Sequence, residues 1–347
     1  MSAPHPAVLD YPVGAPPAPG GALAIAPGVH WLRMPLPFAL DHINLWLLEG
    51  DDGWTLVDTG YANAVTRELW ERHFRDTLAG RPLRRIVATH CHPDHLGNAA
   101  WLAARFGCPV AMTHGEFLAA HAIIDERAAH GVADTCALFA SHGMPAADVA
   151  ALAARGNRYR EGVPEAPSAH ERLQDGDEPT LGRDRWRVIA GYGHSSEHAA
   201  LFAAARDVLI AGDMLLPRIS TNVSVWPSEP DGDPLGRFLD SLAAFERLPG
   251  GTLVLPSHGL PFRGIPLRVA QLRAHHAARL SELIEAIAAA RAPMSAAQMV
   301  PVLFPRELDL QQRFFAMGET IAHLNHLWRH GRLARTRDAQ GNLRFAA

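Results

Sequence analysis

Four residues able to hold a metal ion, His90, His92, Asp94 and His95, fall within six positions of the stretch Ala88-Thr89-His90-Cys91-His92-Pro93-Asp94-His95-Leu96-Gly97. Imidazoles two residues apart in extended chain aim the same way. Asp94 and His95 then address a neighbouring point, so one loop can furnish half the ligands of two adjacent cations. Cys91 sits between two of these residues. Alternation turns it away from them, and it is expected to pack rather than bind.

Something rigid must carry this loop. Arg85-Ile86-Val87-Ala88 reads as a strand, and the Ala-rich segment after Gly97-Asn98 reads as a helix. Three later loops contain glycine and follow apolar runs: Gly191-Tyr192-Gly193-His194, Ile210-Ala211-Gly212-Asp213 and Leu255-Pro256-Ser257-His258-Gly259. Each brings one ligand-type residue to the C-terminal end of a strand, where α/β proteins place reacting groups. Upstream, residues 22–36, 42–48 and 54–57 read as strands, the third ending in Asp58-Thr59-Gly60. Leu69, Trp70, Phe74 and Leu78 recur at helical spacing before Gly80. Residues 114 to about 165 are Ala-rich and read as a helical insertion, of the kind that forms lids near sites. From Pro266 the chain turns helical: Ser295 is a plausible N-cap, and a further helix follows Gly318. Residues 332–337 and 342–345 then read as a hairpin, so this end suggests a winged-helix module.

The order HxHxDH, GH, GD, SHG resembles the metallo-β-lactamase superfamily over roughly residues 22–265, and the C-terminal part resembles the winged-helix tail of a subset of those proteins. The resemblance implies an α/β fold, a four-layer αββα sandwich with a helical insertion and a C-terminal winged-helix-like domain. The chain then divides into a flexible lead-in (1–21), a catalytic domain (22–265, insertion about 114–165) and a C-terminal domain (266–347). It also implies one site of His90, His92 and His194, a second of Asp94, His95 and His258, and Asp213 bridging both. Asp58 would orient a ligand histidine through its other nitrogen, and Asp94 would also shuttle a proton. Two divalent ions per chain follow, zinc first, with iron or manganese as alternatives. Such a pair lowers the pKa of a bridging water and polarises a carbonyl or phosphoryl oxygen. One departure stands out: the family's GHTPGH appears as Gly193-His194-Ser195-Ser196-Glu197-His198, with Glu197 where glycine is usual. Tyr192 and Arg218 are expected near the substrate.

Composition narrows the classes. A chain of 347 residues holds a core domain of roughly 200–250 residues and a small accessory one. With 48% hydrophobic and 20% charged residues it reads as an ordinary soluble protein. A net charge of −4 carries no global signature of nucleic-acid or membrane binding. There is no lysine, which removes Schiff-base and lysine-base chemistries. Three cysteines argue against a disulfide framework. No signal peptide shows, and no apolar run approaches the roughly 20 residues of a membrane span, so a cytoplasmic location is expected. β-Lactam hydrolysis in the antibiotic sense is accordingly not expected. The leading expectation is a metal-dependent hydrolase of a small ester, thioester, lactone or amide, with a metal-bridging hydroxide as nucleophile and an apolar part of the substrate near Trp226. An alternative is a phosphodiesterase or endoribonuclease whose C-terminal cluster (His326, Arg329, His330, Arg332, Arg335, Arg337) binds RNA. A third is a mononuclear-iron thiol dioxygenase. The expected partner is a small molecule, with a homodimer contact as one role for the C-terminal domain; nucleic acid is not favoured.

Overall fold

The computed structural model describes residues 8–347. Its first sheet runs in chain order through β1 (Ala22–Ala26), β2 (Val29–Pro35), β3 (His42–Glu49), β4 (Trp54–Val57), β5 (Leu83–Val87), β6 (Val110–Thr113) and β7 (Glu171–Leu173). Neighbours are antiparallel up to β4 and parallel from β4 onward. Two short strands, β8 (Thr180–Leu181) and β9 (Asp184–Arg185), pair with each other. The second sheet has the order β10 (Arg187–Gly191), β11 (His198–Ala203), β12 (Val208–Gly212) and β13 (Leu253–Pro256), its last pair parallel. A terminal hairpin joins β14 (Ala334–Arg337) to β15 (Leu343–Ala346).

Side-chain alternation explains how the sheets stack. In β3, Trp46 and Leu48 enter the core between the sheets, while Ile43, Leu45 and Leu47 face the helices on the other side. In the second sheet Leu201, Ile210 and Leu255 face inward, and Ala200, Leu209 and Val254 face outward. Strands that bury both faces here have the other sheet on one side and need helices on the other. Those on the first sheet are α1 (Ala64–Asp76), α2 (Pro93–Leu96), α3 (Ala99–Phe106) and α4 (His114–Ile124). The insertion continues through α5 (Val132–Ser141), α6 (Ala146–Arg155) and α7 (Tyr159–Gly162). The second sheet is covered by α8 (Pro234–Glu246), α9 (Ile265–Ala290), α10 (Ala296–Leu303) and α11 (Leu310–Arg329). This is the expected helix–sheet–sheet–helix sandwich.

Several boundaries differ from the sequence reading. Residues 22–36 form two strands because Pro27-Gly28 makes a turn, with Gly28 at φ +73°. Helix α11 runs through Gly318 instead of starting after it. A Cβ there would lie 2.8 Å from Ser224 Oγ, so glycine serves close packing. Of the expected lead-in, residues 1–7 lie outside the described residues. Beyond them, Leu9 is buried, and Asp10 exchanges two backbone hydrogen bonds with Arg263. The insertion splits its loyalties. Helix α4 packs on the first sheet, whereas Phe139 of α5 and Leu152 of α6 share the core of α8, α9 and α11. At the C-terminal end three helices precede a hairpin, and Phe345 of that hairpin is wholly buried in the same core. No helix among the described residues is long and apolar enough to cross a membrane.

Candidate metal centre

Five strand ends meet at one edge of the sandwich. β5 leads to His90, β4 to Asp58, β10 to His194, β12 to Asp213 and β13 to His258. The loop after β5 bends over residues 89–92, with His92 itself extended, and then tightens into α2, with Pro93 at its start. That single turn carries Asp94 and His95 toward the second half of the centre.

The expected residues converge. His90 Nε2 lies 2.8 Å from His92 Nδ1 and 3.2 Å from His194 Nε2. Asp94 Oδ2 is 3.6 Å from His95 Nε2 and 3.4 Å from His258 Nε2. Asp213 stands between the two groups: Oδ2 is 3.3 Å from His194 Nε2, and Oδ1 is 3.6 Å from His95 Nε2 and 3.5 Å from His258 Nε2. Metal–ligand bonds of roughly 2.0–2.1 Å put tetrahedral neighbours about 3.3 Å apart, so edges of this length suit divalent-metal ligation. His95 Nε2 and Asp213 Oδ1 are buried without any hydrogen-bond partner. Buried polar atoms are otherwise nearly always satisfied, and a cation is the partner that would satisfy both of these.

The outer partners settle how each imidazole is used. Carbonyl oxygens only accept, so His194 Nδ1 donates to Asn222 O at 2.8 Å and His258 Nδ1 donates to His42 O at 2.7 Å. His95 Nδ1 donates to Asp58 Oδ2 at 2.8 Å. Thr89 Oγ1 donates to Asp58 and accepts from His90 Nδ1 at 3.1 Å. These four rings therefore turn Nε2 toward the centre, while His92 presents Nδ1. Asp58 is at φ 59°, a left-handed conformation that aspartate tolerates better than most residues. There its carboxylate reaches back to Thr89 N as well as His95.

Charge divides the two halves. Burial, reinforced by neighbouring imidazoles, drives His90 far below its ordinary value, and burial likewise brings His92 to about 3. Both rings are neutral. Burial also opposes ionisation of Asp94 and Asp213, but His95 and His258 outweigh it and hold both carboxyls low. Burial would lower His95 too, yet Asp58, Asp94 and Asp213 raise it to about 10. His258 rises for the same reason, chiefly through Asp213.

Sequence reading missed the residues that clamp the loops. Glu116 is buried in α4, and its carboxylate accepts from Cys91 N at 2.9 Å and Glu197 N at 2.6 Å. Glu197, the departure from the family glycine, accepts from Gly115 N at 3.0 Å and so fastens the start of α4 to the His194 loop. Tyr159 OH donates to Cys91 O at 2.5 Å. His198 Nε2 accepts from Asp213 N at 3.1 Å. His42 Nε2 accepts from Gly259 N at 2.8 Å, so this ring holds the His258 loop. The one usable signal was charge in apolar surroundings, as in Glu116 at the head of an apolar helix. Cys91 is buried in the core beneath the first-sheet helices, as expected.

Beside His92 opens a cleft bounded by Ile123 from the insertion, Tyr192, Ser195, Trp226 and Arg237. Ser195 Oγ is buried and unpartnered. Arg218 is exposed and does not line this cleft, because the loop after Asp213 turns it outward. The C-terminal arginines are largely engaged: Arg335 pairs with Asp231 at 2.7 Å and lies over Trp328, and Arg337 donates to Gly341 O.

Residues 39–258 match the family model of the metallo-β-lactamase superfamily, and residues 280–347 match that of the metallo-β-lactamase-like C-terminal domain. The crystal structure of a β-lactamase domain protein from Burkholderia ambifaria is similar at 48% identity and TM-score 0.90, covering 97% of this chain and 98% of that one. The probable metallo-hydrolase YqjP of Bacillus subtilis (strain 168) is 25% identical over 308 residues, 85% of this chain and 91% of that protein. The acyl-coenzyme A thioesterase MBLAC2 of Bos taurus is 27% identical over 202 residues, 55% of this chain and 65% of that protein. A match over most of the sandwich, with His and Asp gathered at its strand ends, places the chain in the metallo-β-lactamase superfamily as a metal-dependent hydrolase of that fold.

Proposed function

We propose that the chain hydrolyses a small acyl compound, with a thioester favoured over an ester, lactone or amide, at a centre of two divalent ions. One observation carries this reading: Asp213 turns one carboxylate oxygen to each of two histidine groups, and the second oxygen is buried and unpaired. His90, His92 and His194 would hold one ion, and Asp94, His95 and His258 the other, with Asp213 shared. Zinc suits this nitrogen and oxygen set, with iron or manganese as the alternatives. When bound, such ions supply Lewis-acid polarisation of the acyl oxygen and a water acidified toward neutrality.

The chain's own groups do the rest. Asp94 faces both His95 and His258 at the solvent side of the centre, and takes and returns the proton that hydrolysis moves. Asp58 keeps His95 in its working tautomer. Trp226 and Ile123 offer apolar contact to the acyl part, and Tyr192 and Ser195 offer hydroxyls beside it. The similarity to an acyl-coenzyme A thioesterase supports the thioester preference. The second histidine–aspartate group exceeds what a single iron would need, which weighs against a thiol dioxygenase. Three buried, unpaired cysteines suit a reducing compartment, so a cytoplasmic enzyme acting on a diffusible small molecule is part of the same proposal.

The test is a hydrolysis screen over acyl thioesters, aryl esters, lactones, amides and bis-p-nitrophenyl phosphate, with metal content measured on the same sample. Two ions per chain and turnover of thioesters are expected. Turnover of the phosphodiester alone, or activity without metal, would overturn the proposal.

A further inference from the structure

The loop between Asp213 and Trp226 is held mainly from the C-terminal side. Arg268 of α9 donates to Leu216 O at 2.5 Å and to Ile219 O at 2.7 Å. Val225 N donates to Gly318 O of α11 at 3.2 Å. Between these ties lies Asn222, whose carbonyl accepts the Nδ1 proton of His194. Its side chain is fixed at both ends: Nδ2 donates to Glu319 Oε2 at 2.8 Å, and Oδ1 accepts from Ser224 Oγ at 2.8 Å. Glu319 is braced in turn. Its own carbonyl accepts from His323 Nδ1 at 2.8 Å, and His323 Nε2 meets His276 Nδ1 at 3.2 Å in buried surroundings.

We infer that Glu319 is a positioning residue for the metal centre: through Asn222 it sets the carbonyl that orients His194, so the C-terminal helices tune metal affinity without touching a metal. Asn222 and Glu319 are 97 positions apart and belong to different layers of sequence, yet they form one line from α11 to a ligand ring. A carbonyl that wanders lets the His194 ring rotate about its Cβ bond, and outer partners of ligand histidines typically govern metal affinity by about 10–100-fold. What Glu319 supplies is a hydrogen-bond acceptor, so glutamine, which keeps a carbonyl oxygen, should serve in its place. The inference rests on the proposed ligand role of His194.

The experiment compares full-length wild type, Glu319→Gln, Glu319→Ala and Asn222→Ala. The readouts are zinc affinity by competition with a chromophoric chelator, the visible spectrum of the cobalt-substituted protein, and melting of the metal-free protein. Glu319→Ala and Asn222→Ala should each weaken binding of one zinc by about tenfold and alter the cobalt spectrum, while Glu319→Gln stays close to wild type. If Glu319→Ala does not fold, Asn222→Ala carries the same expectation, since it keeps the backbone carbonyl and loses the side-chain ties to Glu319 and Ser224. Unaltered zinc affinity in a folded alanine variant overturns the inference alone, as does a Glu319→Gln loss equal to that of alanine. A wild-type protein that binds no metal removes the reading of the centre and this inference together.

Discussion

Among the described residues, two clusters of histidine and aspartate bring ligand atoms together, and they differ in one respect that matters. In the strand-end centre, His95 Nε2 and Asp213 Oδ1 are buried and unpaired. In the other, Asp233, His326 and His330 also bring ligand atoms within reach, at 3.0 and 3.3 Å. There, however, every carboxylate oxygen has work: Asp233 caps α8 by accepting from Gly236 N and receives both imidazoles. His330 is 58% exposed. Ligand spacing nominates both places. A cation gains most where acceptors are dry and unsatisfied, and only the first place offers that.

The sharpest way to break this contrast is Asp213→Ala. Loss of the shared carboxylate should remove at least one of two ions and lower hydrolysis by roughly 10²–10³-fold, comparable to removing one strong transition-state donor; metal analysis and turnover on one sample check it. Asp58→Asn comes next, with an expected loss of about 10–100-fold in metal affinity by chelator competition, because His95 loses a charged orienting partner. Acid should act similarly. The carboxylates raise His95 to about 10 and shift His258 in the same direction, so acid competes with a cation for these rings, and metal affinity should fall by about tenfold per pH unit for each proton displaced. Titrations at pH 6, 7 and 8 measure the slope. Asp233→Ala should leave two ions bound and cost about 1 kcal/mol of thermal or denaturant stability through the lost helix cap. His330→Ala should change neither metal content nor turnover; loss of an ion there would erase the distinction between the clusters.

The same contrast explains what could be read from sequence. His90, His92, Asp94 and His95 announce themselves because one short loop carries them, and His194, Asp213 and His258 each follow a strand in a glycine-containing loop. The sandwich came with the family resemblance that those motifs carry. What stayed hidden acts through backbone atoms or across long separations. Asn222 serves by its carbonyl, which every residue type has, and His42 meets the His258 loop from 216 positions away. Glu116 holds two loops from the start of a segment read only as a helical insertion. Arg218 was misplaced for the opposite reason: a lone charge near a motif says nothing of which way its loop turns. Glu197 shows how a departure from a family pattern becomes intelligible once its acceptor role toward Gly115 is seen.

Helices α9 to α11 cover the outward face of the second sheet, where Leu209, Val254 and Phe262 share a core with Leu272, Ile321 and Phe345. Ending the polypeptide at residue 258, where the first family match stops, would strip those three helices and leave the apolar surface they cover, α8 included, exposed to water. A minimal enzyme of that length should precipitate when expressed, and mixing it with the missing tail should not readily restore it, since Asp213's loop would have lost its moorings before the two pieces met.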